Sequence, residues 1–433
     1  MSAVPALRLA RSLHWMLTGN AALAASQWAT IALLARFSTP EILGAYALGL
    51  SVASVAFSLT NLELRTLQVT DSAEQESFAS YARLRIATSV ATAGGLGLAG
   101  LFVTSPLTAL AMLAVGLQKF LDGLSDIIYG RLQRREVTAP IGKSQLSKAV
   151  LSVLLLGGTL LLAGNTPWAL GVVVAPYALV LFLFELPALK RHGEVVLPEL
   201  TRFWAISAGR LWSLARSGFP LTVVNTLVTL HAAVPRLAVA GEVGEAGVGI
   251  LAALGYLAVA PNLLLVAMGQ ASMRSLAASF ATGDRRGYLK GILRMLGSAA
   301  AVGIATLLAG AWWGGSLLAA LYGTRFLGYD RELALFLSAG AVSYLNTAVG
   351  YSLSSARVFR EQIPMMTMVC AASLAASWPL VARWGIAGAA LAQLISMLVQ
   401  LAWSALLLVR TVSTRFALVP LEREAVTGAA CSP

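Results

Sequence analysis

Residues 13–62 read LHWMLTGNAALAASQWATIALLARFSTPEILGAYALGLSVASVAFSLTNL, two apolar runs joined by the short polar stretch 36–41. A helix crossing a bilayer needs about 20 mostly apolar residues, because hydrocarbon offers backbone groups no partner outside the helix. Both runs meet that length. The first follows Arg8 and Arg11 and contains Ala22-Leu23-Ala24, which mimics a cleaved signal peptide. It stays apolar to Ala35, too far for a signal h-region, and so reads as a retained first span.

Outward from this pair, the same length criterion predicts spans at 13–35, 42–62, 84–103, 106–128, 146–163, 168–189, 217–239, 247–270, 292–312, 333–355, 364–382 and 385–409. Composition agrees, with 58% of the 433 residues hydrophobic and 12% charged. Soluble domains carry roughly 25% charged residues, so a soluble fold of this size is excluded. Disorder is excluded by the apolar content, and a disulfide scaffold by having Cys370 and Cys431 as the only cysteines. The expected fold class is an all-α polytopic membrane protein with twelve transmembrane helices in two six-helix bundles.

The net charge of +12 is compatible with nucleic acid, anionic lipid, an anionic substrate, or topology alone. Placement decides among these. Of the 31 Lys and Arg, 25 fall in one alternating set: the N-terminus, loops near 63–85, 129–148, 190–216, 271–294 and 356–363, and the C-terminus. By the positive-inside rule that set is cytoplasmic, which puts both termini in the cytoplasm. Nucleic acid is not needed to explain the charge. Outside the set remain Arg36, Arg236, Arg325, Arg331, Arg383 and the intramembrane Lys119. Trp168, Trp313 and Trp384 near outer ends and Trp15 near an inner end suit interfacial anchors.

The longest inner connection divides the spans six and six, giving an N-terminal bundle 1–190, a linker 191–216, a C-terminal bundle 217–410 and a tail 411–433 expected to be disordered. The linker interleaves Leu200, Phe203, Trp204, Leu211, Trp212 and Leu214 with Arg202, Arg210 and Arg216, a pattern for a helix in the inner headgroup layer or a loop with snorkelling arginines. A weak repeat supports the division. Glu41-Ile-Leu-Gly-Ala-Tyr-Ala-Leu48 opens the second span and Glu245-Ala-Gly-Val-Gly-Ile-Leu-Ala252 opens the eighth. Six spans per half keeps both halves in one orientation, as parallel repeats of transporters are.

Enzyme motifs fail on inspection. Gly142-Lys143-Ser144 resembles the end of a P-loop, but Val137 stands where the motif needs glycine and Pro140 interrupts it. His14, His192 and His231 have no metal-ligand spacing, and neither a metal nor a cofactor is expected. Polar stripes inside the spans carry more. Lys119, Asp122, Asp126, Tyr129 and Gln133 recur at three- and four-residue intervals, one face of a helix. They read as a wet cavity wall, with Lys119 able to pair with Asp122, or as an ion pair locking helices. Thr222, Asn225, Thr229 and Arg236 share a face of the seventh span. Ser343, Asn346 and Arg357 do so for the tenth, and Asn20, Gln27 and Thr30 lie in the first. Small polar residues also glue membrane helices together. Arg36, Arg65, Arg236, Arg274 and Arg357 near span ends either snorkel to headgroups or line a path for an anion. Gly310-Ala-Trp-Trp-Gly314 reads as helix packing.

Arg36-Phe-Ser-Thr-Pro-Glu41-Ile-Leu-Gly44-Ala-Tyr46-Ala-Leu48 resembles the passage joining the first two spans in polysaccharide transporters of the MOP flippase superfamily. Gly247-Val-Gly-Ile-Leu-Ala-Ala, Gly283-Asp284, Leu321-Tyr-Gly-Thr-Arg-Phe and Trp384-Gly-Ile-Ala-Gly-Ala-Ala-Leu-Ala resemble later stretches of the same family, in the same order. The resemblance implies a MATE-like fold around a cationic central cavity. It also implies an O-antigen-type flippase of a bacterial inner membrane, moving polyprenyl-pyrophosphate-linked oligosaccharide to the periplasmic leaflet by alternating access. Expected partners are that lipid-linked oligosaccharide, membrane lipids, and a polysaccharide polymerase with glycosyltransferases. Candidate substrate contacts are Arg36, Lys119, Asp122, Asp126, Asn225, Arg236, Arg274, Asn346 and Arg357. The second span ends Asn61-Leu-Glu63-Leu64 where the family commonly has Asp-x-Gly-Leu. A MATE-type drug or cation antiporter is disfavoured because residues 13–35 contain no acid. A membrane-embedded enzyme of polysaccharide assembly is disfavoured by the short loops.

Overall fold

A computed structural model describes residues 3–71, 76–164, 167–191, 207–358 and 360–429, with side chains from 14 to 416 among them. The described residues are almost entirely helical. In chain order the helices are α1 (Ala3–Phe37), α2 (Pro40–Thr60), α3 (Leu64–Thr70), α4 (Phe78–Gly100), α5 (Pro106–Arg134) and α6 (Ala139–Leu162). Then come α7 (Trp168–Arg191), α8 (Ala208–Glu242), α9 (Glu245–Val259), α10 (Asn262–Ala281), α11 (Arg285–Tyr322), α12 (Asp330–Ser355) and α13 (Gln362–Ala429). Starts follow local chemistry: Thr39 accepts from the Ile42 amide and Pro40 fills the first turn of α2, while Ser105 and Pro106 do the same for α5.

Nine segments among the described residues are long and apolar enough to cross a membrane, and the chain is a multi-pass membrane protein. Helices α1 and α4, of 35 and 23 residues, lie over the predicted spans 13–35 and 84–103. The last apolar segment breaks at Gly385, whose φ of 57° and ψ of −129° suit glycine alone. That break separates the predicted runs 364–382 and 385–409. Much of the expected interfacial linker, residues 192–206, lies outside the described residues. Its end does not: Arg210, Leu211, Trp212, Leu214 and Arg216 form the first turns of α8.

The chain divides into two compact units, Met1–Ala253 with Leu321–Gly323, and Leu254–Ala320 with Thr324–Pro433. In the first, α1 packs along α6, α2 and α4 pack on α5, and α8 packs on α2. A core of Leu64, Tyr81, Leu121, Ile128, Tyr177 and their neighbours fills the space between these helices. The two stretches of the weak repeat meet here. A Cβ on Gly44 would lie 1.7 Å from the Glu245 carbonyl oxygen, and one on Gly249 would lie 2.3 Å from that of Pro40. Glycine recurs at these positions because backbone packs on backbone.

In the second unit, α10 and α13 pack on α12. Asn346, buried on α12, donates to the Met397 carbonyl of α13 at 2.9 Å, and Tyr344 donates to the Ala258 carbonyl at 2.6 Å. Gly310 and Gly314 face Leu337 and Leu333 of α12, as helix packing requires. Trp168, Trp313 and Trp384 are exposed, in keeping with anchors at a lipid interface.

Candidate functional site

The polar face of α5 builds two linked charge networks inside the first unit. Asp126 holds two arginines, Oδ1 meeting Nη1 of Arg65 at 3.1 Å and Oδ2 meeting Nη2 of Arg85 at 3.2 Å. Arg65, on α3, also donates from Nε and Nη2 to Oε1 of Gln133 at 3.2 and 3.0 Å. Asp126 and Gln133 of the stripe read from the sequence thus have partners on neighbouring helices.

The second network is deeper. Lys148 on α6 and Glu185 on α7 are both buried, with Nζ 3.0 Å from Oε1. Desolvating two charges is costly, and a buried pair persists only when further hydrogen bonds satisfy its atoms. Such bonds converge on Oε1 of Glu185, while its Oε2 is buried without a partner among the described residues. Tyr129 donates to Oε1 of Glu185 at 2.6 Å, Ser144 bonds the same oxygen, and Lys148 donates to Ser125 at 2.7 Å. The ammonium also lies over the Tyr129 and Tyr177 rings, 5.3 and 5.2 Å from their centroids. Glu185 closes a π-helical turn, Leu181–Glu185, an irregularity common at functional positions.

Asp122 joins the networks to open space, and here an expectation is corrected. Its carboxylate pairs with Lys148, 3.5 Å away, and not with Lys119. Lys148 reaches Asp122 from the neighbouring helix α6, and Lys119 and Asp122 both line a cavity of about 450 Å³. Asn61, Arg85, Asp122, Asp126 and Thr229 share that cavity wall. Around it stand the cations of Arg65, Arg85, Lys119 and Lys148 and the carboxylates of Asp122, Asp126 and Glu185. Lys119 has no carboxylate partner among the described residues, so the cavity presents an unneutralised ammonium beside two half-buried acids.

The remaining sequence candidates are spread. Arg236, half-buried on α8, donates to Ser51 of α2 at 3.2 Å. Asn225, also on α8, donates to Oε1 of Glu63 at 2.6 Å. Arg36 is exposed at the end of α1. Arg274, Asn346 and Arg357 belong to the second unit, where Asn346 is a packing residue and Arg274 and Arg357 are exposed. Thr30, Thr222 and Thr229 bond carbonyls one turn back in their own helices, and Thr229 also lines the cavity.

Sequence reasoning missed Lys148, Glu185 and Arg85. Lys148 and Arg85 stood at span edges and were assigned to loops by the topology argument, yet both are buried in helices. Glu185 offered a readable signal, an acid inside the apolar run 168–189. The departure at Asn61-Leu-Glu63-Leu64 also acquires a geometry. Leu62 and Glu63 adopt φ of 52° and 46°, the left-handed region that the family's glycine would occupy freely. Glu63 is held there by Asn225 and by Thr66 at 3.1 Å.

No protein-family model matches the chain. The capsular polysaccharide biosynthesis protein CapF of Staphylococcus aureus is 20% identical over 396 residues, 91% of this chain and 97% of that protein. The lipid II flippase MurJ, in an inward closed conformation, superposes with a TM-score of 0.69 at 12% identity, over 97% of this chain and 93% of that one. The chain has the MOP-superfamily fold. An inward-facing multidrug resistance MATE transporter of that superfamily superposes with a TM-score of 0.64 at 12% identity, over 97% and 99% of the two chains. A MOP fold accounts for the long apolar helices, and its solved members here are transporters and a flippase. The charged cavity therefore sits in a helical fold shared with those proteins.

Proposed function

We propose that this protein is a flippase that moves polyprenyl-pyrophosphate-linked oligosaccharide from the cytoplasmic to the periplasmic leaflet by alternating access, in surface polysaccharide biosynthesis. The observation that carries the reading is the cavity with its unpaired Lys119, the Asp126-bound arginines and the half-buried Asp122. An ammonium free of protein carboxylates can meet a phosphate oxygen, and carboxylates beside it can accept from sugar hydroxyls. Likeness to a capsular polysaccharide protein and to a lipid II flippase supports a substrate of that chemistry. Twelve spans follow if α1 and α4 cross the bilayer and α13 crosses twice about Gly385. The excess of Lys and Arg in one set of loops then supports cytoplasmic termini in a bacterial inner membrane, with the cavity in the inner half of its unit.

Likeness to MATE transporters supports a drug or cation antiporter as the second reading. It wants an acid on the first helix, and α1 carries none. In a host lacking the chromosomal copy, Lys119→Ala is expected to abolish surface glycan while leaving membrane protein levels unchanged. Normal glycan in that variant would refute the cationic site.

A further inference from the structure

A second hollow lies beside the charged cavity. Its volume is about 690 Å³, and Leu62, Leu84, Leu211, Trp212, Ala215 and Phe219 supply most of its wall. Arg216 is its one charged lining residue, exposed and without an ion pair among the described residues. Trp212 and Phe219 are 73% and 54% exposed, so the groove opens outward from the helices.

Two local features tie this groove to the polar cavity. On α4, Leu84 and Thr88 line the groove while Arg85, between them in sequence, lines the cavity. At the left-handed corner after α2, Leu62 lines the groove and its neighbour Asn61 lines the cavity. One helix turn and one corner thus present an apolar hollow on one side and a charged hollow on the other. That is the complement of an amphiphile, an apolar chain joined through an anionic linkage to a polar head. A pocket of this size falls within the ~300–1,000 Å³ range of small-molecule sites, too small for an entire long polyprenyl chain.

We infer that the groove seats the head-proximal isoprenoid segment of the lipid-linked substrate, with Arg216 meeting the phosphate that joins tail to sugar. This rests on the flippase assignment above. The polar cavity receives the sugar-side phosphate at Lys119 and the sugars beyond it, and the rest of the tail stays in the bilayer. Arg216 complements the charge that every such substrate carries at that junction; an arginine that only snorkels to headgroup phosphates would serve any phospholipid equally, and the competition below separates the two.

Full-length protein in nanodiscs of zwitterionic phospholipid tests this with two probes, polyprenyl pyrophosphate and inorganic pyrophosphate. The unaltered protein is expected to bind the prenylated probe more tightly, and Ala215→Trp to weaken only that binding by about tenfold or more, since two buried methylenes already account for roughly that factor. A photoreactive residue at position 212 is expected to crosslink to the prenyl chain, which keeps the test valid if Ala215→Trp does not fold. Both probes bound, with Ala215→Trp at wild-type affinity and no crosslink at 212, overturns the groove assignment alone. Equal competition by anionic phospholipid also overturns it, marking the groove as an annular lipid site. Failure of the unaltered protein to bind either probe overturns the assignment together with the flippase reading.

Discussion

Removing the positive charge of Lys148 should be among the most damaging single changes in the first unit. Lys148→Met keeps an unbranched side chain of similar length but leaves Glu185, buried and 3.0 Å from the lost ammonium, with a charge that among the described residues only Tyr129 and Ser144 then contact. Breaking a buried pair from one side costs about 3–5 kcal/mol, whereas replacing both partners by apolar groups is often neutral. With a shift of ~2–4 °C per kcal/mol for a unit of this size, the single variant should melt roughly 6–20 °C lower. Glu185→Leu alone leaves the ammonium shared with Asp122 at 3.5 Å and should fall by less. Lys148→Met combined with Glu185→Leu should recover much of the loss. Thermal unfolding of the four purified proteins in one detergent, followed by intrinsic fluorescence, measures this. A double variant that loses as much as the sum of the two singles would refute the pair as an interacting unit, as would a single-variant shift below about 2 °C.

Two further changes probe the backbone. At the left-handed corner, Glu63→Gly removes the roughly 1–2 kcal/mol cost of that conformation along with the bond to Asn225, while Glu63→Ala removes only the bond. The glycine variant should therefore melt higher than the alanine variant, and the reverse order would contradict the assigned geometry. Gly44→Ala should destabilise by at least about 1–3 kcal/mol, because its Cβ would overlap the Glu245 backbone. Gly94→Ala, with nothing within 4 Å of its Cβ, should leave the melting temperature unchanged or raised.

The fold was readable from sequence because a bilayer imposes one dominant constraint, length of apolar helix, and residues such as those from 13 to 62 satisfy it openly. The spacing of Lys119, Asp122 and Asp126 likewise exposed one wall of the site, since helical geometry alone sets which residues share a face. The opposite walls were hidden. That Asp122 chooses Lys148 depends on how α6 packs against α5, and no periodicity within either helix encodes it. Counting every cation near a span end as topology concealed Arg85 and Lys148, because charge placement is silent about depth at the boundary. Even Gly142-Lys143-Ser144, rejected as a P-loop, has a role that spacing could not reveal. Lys143 lies 5.3 Å from the Trp15 ring centroid and Ser144 joins the Glu185 network.

The proposed translocation of a lipid-linked saccharide depends on the unpaired ammonium of Lys119 at the polar cavity. Its most direct test reconstitutes the protein in liposomes loaded with a fluorescent polyprenyl-pyrophosphate oligosaccharide and follows the fraction exposed to a membrane-impermeant quencher. Wild-type protein should expose the inner-leaflet pool while Lys119→Ala should not, although both insert equally. Exposure no faster than in protein-free liposomes, or equal rates for the two proteins, would contradict the account.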